Sequence, residues 1–169
     1  LVRLLLQALN ADYYNPISQA VARVTAPLLT PLRRVVPSRP RVNGPALVAL
    51  VVVQLLMVYL LAAVAGYAPT LPGALVMTVA RLLWTLALLY IGLLIARAVA
   101  SWFPAARGPA LHLVAQLTEP LLGPVRRVLP PAGGMDWSVL VVLVGIELVR
   151  ILALRPLLQA AQVMMVQGW

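Results

Sequence analysis

The sequence predicts an all-α integral membrane protein, built from two parallel tandem repeats of transmembrane helices and kinked interfacial amphipathic helices. Of its 169 residues, 63% are hydrophobic and only 10% are charged, which is more apolar surface than a soluble domain of this size can bury. Three apolar runs each approach or exceed the roughly 20 residues that cross a bilayer. A proline- and arginine-rich segment also occurs twice, at residues 25–37 and 118–130.

The first apolar run long enough to span the membrane covers residues 45–68. It carries no charge, and its only side-chain amide is that of Gln54. Ahead of it, residues 1–6 are also mostly apolar and resemble the end of a longer helix. We therefore expect a further span at the start of the chain, of which this sequence holds only the last part.

The second apolar run extends from Leu71 to Phe103. It is longer than a bilayer core requires, because 33 helical residues measure about 50 Å. Arg81 and Arg97 divide it. We expect the span itself at about 82–102, with residues 71–80 lying along the far interface or entering from it, and with the Arg81 side chain reaching that interface.

The third apolar run covers residues 137–154 and contains two charged side chains. Glu147 lies near the expected midplane, and Arg150 follows three residues later on the same helical face; Arg97 is a candidate partner from another span. A structural ion pair is the expected role of these charges, and the alternative is a functional ion or proton site, because acids inside a membrane are often functional. After this span, residues 155–169 predict an interfacial tail with a tryptophan anchor.

The repeated segment reads TAPLLTPLRRVVP in its first copy and TEPLLGPVRRVLP in its second. Around it, apolar residues recur at steps of three or four, which predicts amphipathic helices at the interface over residues 13–38 and 108–130. Prolines at matching positions predict that each helix is broken or kinked: Pro27, Pro31, Pro120 and Pro124.

Two spans separate the copies, so we expect both copies on one side of the membrane. The link at residues 66–73 carries no charge, whereas the segments around the copies are basic, and short basic loops stay cytoplasmic. Both copies are therefore expected at the cytoplasmic face of a bacterial inner membrane. The alternative is that they are mere connectors with stop-transfer charges. Their prolines and paired arginines are candidate contacts for anionic lipids or a protein partner: Arg33, Arg34, Arg126 and Arg127.

The charged residues argue against several classes of function. A net charge of +9 suggests nucleic acid for a soluble protein, but here the arginines lie beside apolar runs, so anionic lipid headgroups are the expected partners and nucleic acid is not. The absence of cysteine excludes disulfides and thiolate chemistry. The four acids are scattered, and the single histidine, His112, has no second ligand at metal spacing. We expect no catalytic residue, cofactor or metal.

Several of these pieces together resemble the YggT family of small bacterial membrane proteins. They are Tyr14–Ser18 with the first proline–arginine segment, then Ser101–Trp102, the second segment, and Gly133–Ser138. The resemblance covers nearly the whole chain as two units, residues 1–68 and 69–169. It implies a link to biogenesis of membrane complexes, including cytochrome assembly in photosynthetic relatives, to cell division or nucleoid organisation, and to osmotic tolerance.

The two units are not identical where the family motif ends. Asn43 in the first unit stands where the second has Asp136, so a role for that carboxylate cannot extend to both units. We expect a non-enzymatic inner-membrane protein that assembles or organises membrane complexes, with anionic lipids, other membrane proteins and further copies of the same chain as candidate partners. The alternative function is a channel or transport-related protein for osmotic or ion homeostasis.

Overall fold

All regular elements in the described part of the chain are helical, which confirms the fold class. The computed structural model describes residues 1–12, 14–37, 43–102, 108–129 and 136–167. The helices are α1 Val2–Ala8, α2 Pro16–Leu32, α3 Gly44–Val64, α4 Leu71–Ser101, α5 Pro109–Val128, α6 Trp137–Val149 and α7 Arg155–Gln167, with a π-helical turn at Arg150–Leu154. Three helical runs are long and apolar enough to cross a membrane: Gly44–Val64, Leu71–Ser101 and Trp137–Val166.

The span α3 begins and ends at local signals in the sequence. Asn43 caps its start, because the side-chain oxygen accepts a hydrogen bond from the Ala46 amide at 3.2 Å. At the other end Gly66 adopts φ +80°, and the Tyr67 amide donates to the Ala62 carbonyl at 3.1 Å. This glycine turn closes the helix at Val64, four residues before the predicted end.

The second span, α4, is one unbroken helix from Leu71 to Ser101, so residues 71–80 continue the span and do not form a separate segment along the interface. Thr70 caps its start, where the hydroxyl accepts from the Gly73 amide at 3.4 Å. Arg81 lies within α4, eleven residues into the helix. It lies half-buried in a cleft of about 430 Å³, where polar side chains from α3 and α7 surround its charge: Gln54, Gln159 and Gln162.

The third span also continues past its predicted end. Pro156 has no N–H to donate to the Leu152 carbonyl, which would normally break a helix. The chain instead widens into the π-helical turn, where the Arg155 amide bonds to the Arg150 carbonyl, and α7 follows without interruption. The prediction of a separate interfacial tail is therefore wrong, and its tryptophan anchor, Trp169, lies outside the described residues.

α4 is the central helix and contacts α3, α5, α6 and α7. The run from α6 to α7 lies antiparallel to it, so the core divides into clusters at the two ends of the bundle. At the far end, α3, α4 and α7 bury Val58, Ala74, Met77, Ala161 and Met165. At the end that holds α2 and α5, two clusters bury Leu94, Leu122, Val139 and Val142, and Leu6, Leu113 and Leu117.

Gly73 sets the distance between α4 and α7. A Cβ atom at this position would lie 2.5 Å from the Met165 backbone nitrogen, so only glycine permits the two backbones to come this close. The close approach also lets Thr70 satisfy the end of α7, because its hydroxyl donates to the Met164 carbonyl at 2.7 Å and its amide donates to the Met165 carbonyl at 3.1 Å.

We predict that Gly73→Ala lowers the free energy of unfolding by roughly 1–3 kcal/mol, because α7 must move away from α4. Gly92→Ala is the matched control on the same helix, where an added Cβ meets nothing within 4 Å; it is expected to stabilise the protein by up to about 1 kcal/mol, since alanine favours helix. Thermal unfolding of both variants in detergent measures the difference. Equal midpoints for the two variants would contradict this role of Gly73.

Candidate functional site

The second proline–arginine helix, α5, is continuous from Pro109 to Val128, although it contains Pro120 and Pro124. The prediction that these prolines break the segment into pieces is wrong. Both prolines are exposed and stand four residues apart, so they share the outer face of the helix. The Gln116 and Pro120 carbonyls that they leave without a helical N–H therefore lie toward that face, where polar surroundings can satisfy them. The inner face buries Leu113, Leu117, Thr118 and Leu122.

The first proline–arginine helix, α2, repeats this arrangement. It runs from Pro16 to Leu32 with Pro27 and Pro31 inside it, and both of these prolines are exposed. Ser18 and Leu29 are its buried residues. We refer to α2 and α5 together as the proline–arginine helices.

One arginine ties each proline–arginine helix to the preceding helix in the same way. In the second unit, the Arg97 Nη1 atom of α4 donates to the Thr118 hydroxyl at 2.6 Å and to the Ala115 carbonyl at 3.2 Å. In the first unit, the Arg3 Nη1 atom of α1 donates to the Thr25 hydroxyl at 2.6 Å and to the Ala22 carbonyl at 3.0 Å. Each threonine hydroxyl in turn donates to a carbonyl of its own helix.

The repeated arginine–threonine contact is the part of the site that sequence reasoning missed. Thr25 and Thr118 lie at matching positions of the repeat, and Arg3 and Arg97 precede them at nearly the same spacing, so a signal for the pairing was present. Arg97 was predicted instead as a partner of Glu147. The structure places Arg97 against α5, where it also pairs with the Glu119 carboxylate at 3.2 Å.

A chain of ion pairs continues from Arg97 to the start of the last span. Glu119 bridges Arg97 and Arg126, with 3.1 Å between its Oε2 atom and the Arg126 Nη1 atom. The Arg126 Nε atom donates to Asp136 Oδ2 at 3.1 Å. Asp136 then caps α6, because its Oδ1 atom accepts from the Ser138 amide at 3.2 Å. α4, α5 and α6 are thus joined at one end of the bundle.

In this network of ion pairs, the electrostatics favour the charged forms of Arg126 and Asp136. Burial raises the pKa of Asp136, but hydrogen bonds from Arg126 and Ser138 outweigh it, so the pKa lies below the usual carboxyl value. The hydrogen bond to Asp136 raises the pKa of Arg126 above its usual value. Of the four predicted lipid-contact arginines, Arg126 is partly buried and paired with acids of the protein, whereas Arg33, Arg34 and Arg127 are exposed.

The first unit has arginines that correspond to Arg97 and Arg126 but lacks the acids that pair with them in the second unit. With the offset of the repeat, Arg33 corresponds to Arg126, while Ala26 and Asn43 stand where the second unit has Glu119 and Asp136. Asn43 retains the capping role, at the start of α3. A cavity of about 430 Å³ lies between α1, α2 and the start of α3.

The two proline–arginine helices touch each other. The Asn15 side-chain amide, at the start of α2, donates to the Pro109 carbonyl at 2.5 Å. The Asp12 backbone amide donates to the Gln116 side chain of α5 at 3.2 Å. Both helices therefore lie at the same end of the bundle, as the number of intervening spans predicts.

The remaining predicted charges form a separate pair within the third span. Arg150 Nη1 contacts Glu147 Oε2 at 2.5 Å, one helical turn away. The Arg150 guanidinium also lies 4.2 Å from the centroid of the Trp84 ring of α4, a cation–π contact. The Arg150 guanidinium thus contacts both an acid of its own span and an aromatic ring of the adjacent helix.

Comparison with known proteins follows the same two-unit pattern. The chain matches the family described as CCB3/YggT over residues 1–64 and 76–157. It is 32% identical over 170 residues to the uncharacterized protein YggT of Escherichia coli K12, covering 99% of this chain and 87% of that protein. An uncharacterized protein in the proC 3′ region of Vibrio alginolyticus is 34% identical over 154 residues, covering 90% and 83%. An uncharacterized Pseudomonas aeruginosa protein is 34% identical over 165 residues, covering 93% and 81%. No solved structure matches the chain.

We predict that Asp136→Asn and Arg126→Gln each lower the free energy of unfolding by roughly 1–3 kcal/mol, because each removes the charge-assisted hydrogen bonds between these two partly buried groups. Asparagine can still cap α6, as Asn43 caps α3. The loss of unfolding free energy in Asp136→Asn therefore measures the contribution of the carboxylate charge. In the double variant the effects are expected to be non-additive, with a coupling energy of about 1 kcal/mol. Chemical unfolding of the four proteins in detergent measures it, and a coupling indistinguishable from zero would contradict the ion pair.

The pH dependence gives a second readout of this pair. Because the folded pKa of Asp136 lies below its ordinary value of 3.8, its stabilising effect is complete above that value and is lost as the pH falls through the folded pKa. The difference in unfolding free energy between wild type and Asp136→Asn should therefore stay constant at neutral pH and shrink only below about pH 4.

Proposed function

The chain belongs to the CCB3/YggT family, and from this premise we propose that it is a non-enzymatic membrane protein that assembles or organises membrane complexes. The two proline–arginine helices would be its contact surface, lying at the cytoplasmic face of a bacterial inner membrane. The observation that carries this proposal is the repeated arginine–threonine contact, which fixes each of these helices to the helix that precedes it.

The exposed surface of α2 supports a position at a lipid–water boundary. Val24 is 76% exposed, Leu28 62% and Val35 82%, and Arg34 lies exposed beside them. Large apolar side chains mixed with arginine suit a surface that meets acyl chains and phosphates together. Anionic lipids, other membrane proteins and further copies of the chain are the proposed partners.

The state of the carboxylates supports a non-enzymatic role. Glu119, Asp136 and Glu147 each contact an arginine. A general acid or base needs access to a substrate, whereas each of these carboxylates already accepts a hydrogen bond from an arginine of the protein. Among the described residues, no group of three or more histidines and acids is placed to hold a metal ion.

The polar cleft beside Arg81 favours a second candidate function, a transport-related role in osmotic or ion homeostasis. Three glutamines from two other helices line it, and polar groups within membrane spans mark ion or substrate paths in many membrane proteins. The Glu147–Arg150 pair would belong to the same half of the protein. This role predicts a measurable flux, which an organising role does not.

We predict that cysteines introduced separately at Arg34 and Arg127 react with a membrane-impermeant maleimide from the cytoplasmic side. A cysteine at Ala68, in the exposed link between α3 and α4, should react from the opposite side. The chain has no cysteine of its own, so each label reports one site. Labelling of intact cells and of inverted membrane vesicles distinguishes the two sides, and reaction of the first two sites from opposite sides would refute the shared face.

Purification of the tagged protein in mild detergent, followed by mass spectrometry, tests the organising role. We expect a specific set of membrane proteins with wild type, and a severalfold depletion with the double variant Arg34→Gln/Arg127→Gln, since exposed cations are removed while the internal ion pairs stay. Arg155→Gln, an exposed arginine in the last helix, is the matched control and should retain the set.

If the double variant retained the same proteins, the proline–arginine helices would not be the contact surface for these partners. Absence of any set beyond that of an unrelated tagged membrane protein would overturn the organising role. An ion flux in proteoliposomes that disappears with Glu147→Gln would favour the transport-related candidate instead.

A further inference from the structure

The cleft beside Arg81 holds a positive charge without a counterion from the described part of the chain. None of the described residues that line this space of about 430 Å³ is acidic. Asp12 accepts a hydrogen bond from the Tyr14 amide, and the other three acids of the sequence pair with other arginines: Glu119, Asp136 and Glu147. Each acid thus has its contacts away from this cleft, and none of them balances the Arg81 charge.

The depth of Arg81 in the bundle places it near a headgroup layer. Arg81 and Arg97 lie 16 residues apart on α4, or about 24 Å along the helix axis. Arg97 holds α5, which we place at one boundary of the membrane, so in a hydrocarbon core roughly 30 Å thick Arg81 lies about 6 Å inside the opposite boundary. An arginine side chain can extend over such a distance and bring its charge to the headgroups.

Three side-chain amides give the cleft hydrogen-bond donors without adding charge. Gln54 of α3 is half-buried, whereas Gln159 and Gln162 of α7 are exposed and lie three residues apart on one face of the helix. These two glutamines also line an adjoining space of about 340 Å³. A guanidinium matches two oxygens of a phosphate, and the amides can donate to the remaining oxygens. The chemistry of the cleft therefore suits a phosphate, whereas Arg81 would repel a cation.

The other charges near the cleft leave its potential positive. Arg155 precedes Gln159 by four residues, so its exposed side chain lies on the same face of α7, about one turn away. Arg150 lies over the ring of Trp84, which also lines the cleft. Its charge is paired with the Glu147 carboxylate, so this second pair adds little net charge. A positive potential attracts an anion to the cleft.

We propose that this cleft binds one phosphate group, supplied by a phospholipid of the leaflet opposite the proline–arginine helices. Arg81 balances the charge of the phosphate, and the three glutamines donate hydrogen bonds to its oxygens. The choice of leaflet rests on the proposed interfacial position of the proline–arginine helices. The binding itself requires neither the organising role nor the transport-related role.

The surface of α4 next to the cleft favours a phospholipid over free phosphate. From Arg81 toward the other end of the helix, the residues on the same face are exposed and uncharged: Thr85, Leu88, Gly92 and Ile95. Leu88 is 45% exposed and Ile95 50%, and an added Cβ at Gly92 would meet nothing within 4 Å. A charged cleft that opens onto an exposed apolar strip fits the headgroup and one acyl chain of a single amphiphile. Free inorganic phosphate would use the cleft alone.

Native mass spectrometry of the full-length protein, in a phosphate-free detergent buffer with added phosphatidylglycerol, counts the lipids bound per chain. We expect one tightly bound phosphatidylglycerol in wild type. In Arg81→Gln its affinity should fall about tenfold or more, because the charged partner of the phosphate is removed. Arg127→Gln is the matched control, since it makes the same change at an exposed arginine at the other end of the bundle, and it should retain the tightly bound lipid.

Thermal unfolding separates a binding role of Arg81 from a structural one. In lipid-free detergent, Arg81→Gln should unfold at or above the wild-type midpoint, because a charge without a counterion in the protein is removed. Added phosphatidylglycerol should raise the midpoint of wild type and leave that of Arg81→Gln unchanged. A second variant, Gln159→Ala/Gln162→Ala, changes only exposed side chains and should weaken lipid binding severalfold while the fold is retained.

The outcomes separate the two sources of phosphate. One phosphatidylglycerol per chain, lost in Arg81→Gln and kept in Arg127→Gln, supports a lipid headgroup. Stabilisation of wild type by inorganic phosphate, with the same dependence on Arg81 and no effect of lipid, supports a phosphate site filled from solution. Equal lipid binding by wild type and Arg81→Gln, or equal loss in Arg127→Gln, overturns the proposal.

A membrane protein that co-purifies with wild type and is lost in Arg81→Gln, while lipid binding stays the same, would also overturn it, because the cleft would then hold an acid of that partner. The position of the proline–arginine helices is tested separately by the cysteine labelling described above. Failure of that test would change the leaflet and leave the lipid count unaffected, so the two results are distinguishable.

Discussion

The arrangement of the whole bundle depends on one contact, an arginine near the end of one helix that donates to a threonine hydroxyl and a backbone carbonyl of the next. A guanidinium supplies several donors in a fixed plane, so it can reach two acceptors of α5 at once, as Arg97 does at Thr118 and Ala115. The contact brings a surface helix into a fixed position against a span, and the buried leucines of α5 then pack beneath it.

On this common frame, the two units distribute charge differently. In the second unit, Glu119 and Asp136 pair with Arg97 and Arg126. These ion pairs join the ends of α4, α5 and α6. The first unit keeps Arg3 and Arg33 around an open cavity and replaces the acids with Ala26 and Asn43. The arginine–threonine contact is thus common to both units, whereas the acids that join three helices are present only in the second.

The sequence was sufficient for the features that depend on bulk hydrophobicity and on the repeat: the spans, their order and the meeting of the two proline–arginine helices at one end. It was insufficient where tertiary contacts override local preference. Prolines predicted breaks in α5, but Pro120 and Pro124 lie on an exposed face where a missing N–H costs little. The third span was predicted to end at residue 154, but a π-helical turn accommodates Pro156, and the helix continues as α7, packed against α4 across Gly73. The partner of Arg97 was misjudged because hydropathy gives no information on which helix lies beside it.

The contact between Asn15 and the Pro109 carbonyl, together with the packing of Leu6 on Leu113 and Leu117, has a consequence for how the molecule assembles. A single unit would expose this mating surface and would have to find a second chain to cover it. Joining both units in one polypeptide makes that association intramolecular, with an effective concentration set by the connecting segments. The pairing of the halves is therefore independent of how many copies the cell makes, and remains intact at expression levels where a two-chain assembly would dissociate.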